Sequence, residues 1–240
     1  MDITFENATL FDLEQSERNG SYTYADYISW KFSETLELIK GKIYRMAAPS
    51  RRHQVVSREL SIELGLYFRG KSCQMFSAPF DVRMYDRRKS LKANQTIHTV
   101  IQPDLCVVCD LAKLDNAGCD GAPDWIIEIL SPGNSKQEMR HKHQLYEENG
   151  VQEYWVADYD RKMIIQFVLQ PNQKYGAAQF FFHDESISPA LDIRFSKNIY
   201  RLKEGKIIVG TLFAFLRFQY KHLIINSLNN KMNLIGYFKY

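Results

Sequence analysis

The chain has 240 residues, 45% of them hydrophobic and 13% aromatic, and a formal net charge of +3, which provides for one good core and makes a single domain the default. The charge is unevenly spread: residues 206–240 hold Lys206, Arg217, Lys221, Lys231 and Lys239 with no acid, so they carry +5 and residues 1–205 sum to −2. A globally basic nucleic-acid binder is thereby excluded, and any contact with nucleic acid falls to local patches: Arg51-Arg52, Arg83 to Lys92, and Arg140-His141-Lys142-His143.

Met1 to Gln15 carries Asp2, Glu6, Asp12 and Glu14 and does not read as a secretory signal, so a cytoplasmic protein is expected. Thr23 and Asp26 have capping-box spacing before a short helix over Tyr24–Phe32. Leu36–Ile39 and Lys42–Met46 flank Lys40-Gly41 as a hairpin. Arg52–Phe68 reads as a helix ending near Gly70, and Gln74–Tyr85 as one strand.

The polar stretch Asp86–Thr96 leads to two runs that are apolar on both faces, Val100–Val108 and Asp124–Leu130, separated by a loop over Asp115–Pro123. A turn at Ser131–Asn134 precedes a helix over Lys136–Glu148, with Ser135 and Glu138 as its capping box and Asn149-Gly150 as its left-handed close. Glu153–Ala157, Lys162–Leu169 and Tyr175–Phe182 read as three further strands. Four cysteines, at 73, 106, 109 and 119, lack the spacing of a disulfide framework and are expected to be reduced thiols. Cys106 and Cys109, three apart on a strand, point to opposite faces and do not chelate one zinc ion.

Inside each of the two central runs one carboxylate stands among bulky apolar residues, Asp104 and Glu128. Unpaired charge inside a covered sheet costs several kcal/mol, so two acids placed there call for a cation. Glu128 lies roughly 10 Å back from its strand end and Lys142 roughly 10 Å along the following helix, at the usual rises of strand and helix. If the helix folds back along the strand, Lys142 returns level with Glu128, and an Asp, a Glu and a Lys converge. Two carboxylates suit Mg²⁺ or Mn²⁺ and an ammonium suits charge growing on a phosphate, which points to a metal-dependent hydrolase. The alternatives are a cap at Asp104, a neutralised core acid at Glu128, and a helix-surface pair of Lys142 with Glu138. His141 and His143 project away from Lys142, as solvent residues or weak phosphate contacts.

Pro103-Asp104, the run Asp124-Trp125-Ile126-Ile127-Glu128-Ile129-Leu130-Ser131-Pro132, Lys142 ahead of Leu145-Tyr146, Gly150-Val151 and Glu153-Tyr154-Trp155-Val156-Ala157-Asp158 resemble the bacterial Uma-two family of restriction-endonuclease-like proteins, a branch of the PD-(D/E)XK nuclease superfamily. Glu37-Leu38-Ile39-Lys40-Gly41-Lys42-Ile43-Tyr44 and His53 resemble its usual opening, and the likeness covers about residues 22–200. The resemblance implies an α/β (α+β) fold, a restriction-endonuclease-like mixed central sheet flanked by helices, in a domain of residues 1–205.

It also implies an Mg²⁺- or Mn²⁺-dependent endonuclease acting on DNA, with catalytic Asp104, Glu128 and Lys142, metal on Asp104 and Glu128, and Glu37 and His53 as auxiliary residues. Leu130 stands where the superfamily's lysine would be, and Lys142 matches the family's relocated lysine. A homodimer is implied as well. The rival readings are a non-catalytic nucleic-acid-binding module of this fold and a hydrolase of small phosphodiesters. Residues 206–240 form a basic, aromatic extension whose longest uncharged apolar run, Ile207–Leu216, is too short to span a bilayer. It stands open between a dimer-closing helix, a nucleic-acid contact and a segment without function.

Overall fold

A computed structural model of the chain describes residues 10–16, 19–85, 97–131, 136–182, 185–187, 190 and 207–208. Helix α1 (Leu10–Gln15) precedes α2 (Tyr24–Tyr27), where Thr23 and Asp26 form the reciprocal capping box, although the helix stops well before Phe32. Strands β1 (Leu36–Ile39) and β2 (Lys42–Arg45) form the expected hairpin around Lys40 and Gly41, both at positive φ, as the two-residue turn requires. Gly41 is needed twice over, since a Cβ there would meet the Gly20 carbonyl oxygen at 2.5 Å. Helix α3 (Arg51–Phe68) begins one residue earlier than expected because the Ser50 side chain caps it by accepting the His53 amide at 3.2 Å.

Both long strand expectations break at a proline. Gln74–Tyr85 divides into β3 (Gln74–Ser77) and β4 (Val82–Met84) around Pro79, and Val100–Val108 divides into β5 (Thr99–Ile101) and β6 (Leu105–Val108) around Pro103. Proline cannot donate to a ladder, and at each break the chain leaves one sheet for another. The expected loop of residues 115–123 instead contains most of a small hairpin of β7 (Leu114–Asp115) and β8 (Gly118–Asp120). Strand β9 (Trp125–Leu130), helix α4 (Lys136–Asn149) and strands β10 (Glu153–Asp158), β11 (Met163–Val168) and β12 (Gln179–Phe182) follow. The capping box at Ser135 and the turn over 132–134 lie outside the described residues, whereas Gly150 does close α4 at φ 74°.

The fold is mixed α+β, and the expected mixed sheet with flanking helices is accompanied by a second mixed sheet. The first runs β12-β11-β10-β9-β6-β3, with β9 and β10 parallel and joined by α4; the second runs β2-β1-β5-β4-β8-β7. A short pair of β13 (Ser186–Ile187) and β14 (Ile207–Ile208) stands apart, so the expected 206–240 extension begins in a ladder with residue 186; residues 209–240 lie outside the described residues. Residues alternate across β9: Trp125, Ile127 and Ile129 pack under Val56, Leu60 and Leu64 of α3, while Ile126 faces Met139, Leu145 and Tyr146 of α4. Covered on both faces, the strand reads as continuously apolar, which leaves Glu128 on the α4 side.

The cysteines overturn one expectation: Cys73 and Cys109 form a disulfide, while Cys106 and Cys119 are free and buried. The reason is register, because Gln74 pairs with Val108 at the end of the β3–β6 ladder and the next residues out, Cys73 and Cys109, are left facing each other with Cα atoms 3.9 Å apart. Burial pushes both free thiols up, so they stay protonated. The bridge spans 36 positions, and its loss is expected to cost about 2–4 kcal/mol through the freed unfolded chain. Thiol titration in denaturant is expected to find two reactive cysteines before reduction and four after, with reduction lowering the urea midpoint.

Candidate functional site

The two sheets meet where the chain crosses at Gln102–Asp104, and the side chains singled out from the sequence gather there. Glu37 comes from β1 of the second sheet, Glu128 from β9 of the first, Asp104 from the crossover, His53 from the first turn of α3 and Lys142 from the middle of α4. Glu37, His53, Glu128 and Lys142 are all buried, at 4, 8, 6 and 8% exposure, and Asp104 is half-buried.

Helix α4 does fold back along β9, so Lys142 Nζ reaches Glu128 Oε1 at 3.0 Å and Glu37 Oε1 at 3.5 Å. It turns inward to these two acids instead of along the helix to Glu138. The Tyr146 hydroxyl, one turn further on, also donates to Glu128 Oε1, and the Gln102 amide donates to Glu37 Oε1 at 3.0 Å. Asp104 Oδ2 accepts the Ile129 amide at 2.7 Å and lies 3.2 Å from His53 Nε2. Strand β6 starts at Leu105 opposite Ile127, so the Ile129 amide lies beyond the ladder opposite Pro103, and the Asp104 side chain replaces the missing strand.

Two carboxylates, Glu37 and Glu128, share the one ammonium, and a third, Asp104, lies beside His53. Burial pushes the Glu128 carboxyl above the usual carboxylate range, with Asp104 and Glu37 adding to the rise and Lys142 opposing it. Burial alone would discharge Lys142, but Glu128 and Glu37 outweigh it and hold the amine charged. Burial also works against a charged His53, and the hydrogen bond and charge of Asp104 overcome it, so its pKa is raised; its Nδ1 is buried without a hydrogen-bond partner among the described residues.

Among the described residues no three His, Cys, Asp or Glu side chains are placed to hold a metal ion. Two carboxylates do offer one oxygen each: the contacts to Asp104 fall on Oδ2 and those to Glu128 on Oε1, which leaves Oδ1 and Oε2 to other ligands. Oxygen donors with surplus negative charge fit Mg²⁺ or Mn²⁺, which commonly take one or two carboxylates and complete their shell with water and substrate phosphate.

Two sequence expectations are corrected here. His143 is buried, not solvent-facing, with its ring 4.7 Å from Phe167 and 5.1 Å from Tyr175. Nor are the local basic patches wholly open to nucleic acid: Arg83 is buried and bound to Asp115 at 2.6 Å, and Lys142 is buried in the site, while Arg140 and His141 are exposed. Tyr146, the Gln102 amide and the Ile129 amide were not singled out from the residues, although Tyr146 stands at i+4 from Lys142 and therefore on its face.

No helix among the described residues is long and apolar enough to cross a membrane. A curated relative, "Uncharacterized protein slr1290" of Synechocystis sp., is 26% identical over 126 residues, a match spanning 52% of this chain and 61% of the relative. The crystal structure described as "a putative nuclease belonging to DUF820 from Anabaena variabilis ATCC 29413" superposes with a TM-score of 0.60, covering 81% of this chain and 98% of that one at 19% identity, and so shares the fold. Residues 24–199, which include all five gathered side chains, match the sequence profile of the family described as "Uma2: Putative restriction endonuclease", and the chain belongs to that family.

Proposed function

We propose that the protein is a metal-dependent endonuclease that hydrolyses phosphodiester bonds in DNA, with Asp104, Glu128 and Lys142 as its catalytic residues. The observation that carries the reading is the buried Lys142 ammonium 3.0 Å from Glu128, which only the return of α4 along β9 allows. Family membership supports the reaction class. Asp104 and Glu128 would hold Mg²⁺ or Mn²⁺; when bound, such an ion polarises the phosphate and lowers the pKa of a coordinated water.

The rest is done by the chain itself. The Ile129 amide and His53 fix Asp104 through Oδ2 and keep its second oxygen presented. Lys142 stays charged in a desolvated setting, where its ammonium counters negative charge gathering on a phosphate far better than in water. Glu37, held by the Gln102 amide, keeps the lysine bridged between the two sheets. The reading includes a cytoplasmic setting and, carried over from the resemblance, two paired copies.

Asp104→Asn and Glu128→Gln keep shape and a hydrogen-bonding oxygen, so each is expected to lower Mg²⁺-dependent plasmid cleavage by at least about 100-fold with the circular dichroism unchanged. Full activity in either variant, or no cleavage by the wild type with any divalent ion, would sink the nuclease reading. Turnover of a chromogenic phosphodiester without plasmid cleavage would support the small-ester hydrolase instead, and DNA binding indifferent to EDTA and to Lys142→Ala the non-catalytic module.

The electrostatics make a second prediction. Lys142→Met leaves Glu37 and Glu128 buried without their cation and is expected to cost about 3–5 kcal/mol at pH 8. Because the Glu128 pKa is raised above its unfolded value, its ionisation costs stability as pH rises through the folded pKa, and protonation recovers it on the acid side. The Met variant's deficit should therefore shrink at pH 5. Urea denaturation at both pH values checks this, and an equal deficit at both would contradict it.

A further inference from the structure

Glu128 Oε1 receives two donors from one helix face, Lys142 Nζ and the Tyr146 hydroxyl, four residues apart and therefore one turn apart. A lysine alone would satisfy the charge, so the second donor needs its own account. Tyr146 is fully buried, with its ring edge-on to Tyr154 at 5.0 Å and packed among Val156, Met139 and Leu145, so the hydroxyl has little freedom to point elsewhere. Burial and the neighbouring Glu128 and Glu37 keep the phenol protonated, which makes it an obligatory donor to Glu128. Lysine has flexible reach and serves two acids here; the tyrosine has a rigid ring and serves one.

We propose that Tyr146 is a positioning residue of this site: by donating to Glu128 Oε1 beside Lys142, it dedicates that oxygen to the protein and turns Oε2 toward a divalent cation. The assignment rests on the metal-dependent reading above. Without the hydroxyl, the carboxylate can rotate about its terminal bond, and the lysine can draw both oxygens into the ion pair. Outer hydrogen bonds of this kind commonly set cation affinity by about 10–100-fold.

The test is Tyr146→Phe, which removes one oxygen and keeps the ring, with Tyr154→Phe as control. The Tyr154 hydroxyl is equally buried, sits in the same aromatic cluster and has no hydrogen-bond partner among the described residues. Mn²⁺ binding to metal-free protein is titrated by electron paramagnetic resonance, thermal unfolding is recorded in EDTA, and cleavage is followed against Mn²⁺ and against plasmid DNA. Tyr146→Phe is expected to bind Mn²⁺ about tenfold more weakly or worse, to regain cleavage at high Mn²⁺, and to keep its KM for DNA, while Tyr154→Phe binds Mn²⁺ as the wild type does.

Unchanged Mn²⁺ affinity in Tyr146→Phe would overturn the assignment and leave the metal-dependent reading standing. Equal weakening in both variants would also overturn it, since any lost core hydroxyl would then suffice, as would a loss of cleavage that saturating Mn²⁺ does not restore. A wild type that neither binds Mn²⁺ nor cleaves DNA would remove both at once.

Discussion

One buried ammonium holds the molecule's layers in register. Lys142 lies on α4, Glu128 on the first sheet and Glu37 on the second, and the nitrogen is within 3.5 Å of both acids. Removing the lysine leaves two interior acids without their cation, which is why such a group, once present, constrains the packing of everything that carries it. Asp104 adds a third carboxylate to this cluster, with His53 Nε2 3.2 Å from its Oδ2.

The place of Asp104 follows from how two sheets are wound from one chain. Pro79 and Pro103 both fall where a strand would otherwise continue, and the two crossings touch, since the Ala78 amide donates to the Asp104 carbonyl at 3.1 Å. A crossing leaves the neighbouring strand β9 with an amide that no ladder serves, at Ile129. Asp104 answers it, and the carboxylate is oriented by the same defect that let the chain change sheets. The disulfide closes the opposite end of the same β3–β6 ladder, so the pair of strands bearing this crossover is fastened at both ends.

Much of the local structure was legible because its causes are local. The Thr23 capping box, the Lys40-Gly41 turn and the Gly150 helix close each depend on residues within one turn of one another, and each occurs as its spacing predicts. The approach of Lys142 to Glu128 was also legible, since strand and helix rises give matching lengths for an antiparallel return. Tyr146 could have been found by the same argument carried one turn further.

What stayed hidden depends on partners distant in the chain. Alternating apolar residues show that a run is a buried strand but not which strand lies beside it, so two prolines that divide strands between sheets read only as interruptions. Cys73 and Cys109 meet because β3 chooses β6, a pairing across 36 positions with no local signal. His143 looks polar on a basic stretch until Phe167 and Tyr175 arrive from β11 and the chain after it. Periodicity, caps and the identity of the five charged residues are properties of short segments and can be read one at a time; sheet order, the burial of those charges and the direction each carboxylate faces exist only once the segments have closed around one another, because they are set by neighbours that the chain brings back from far away.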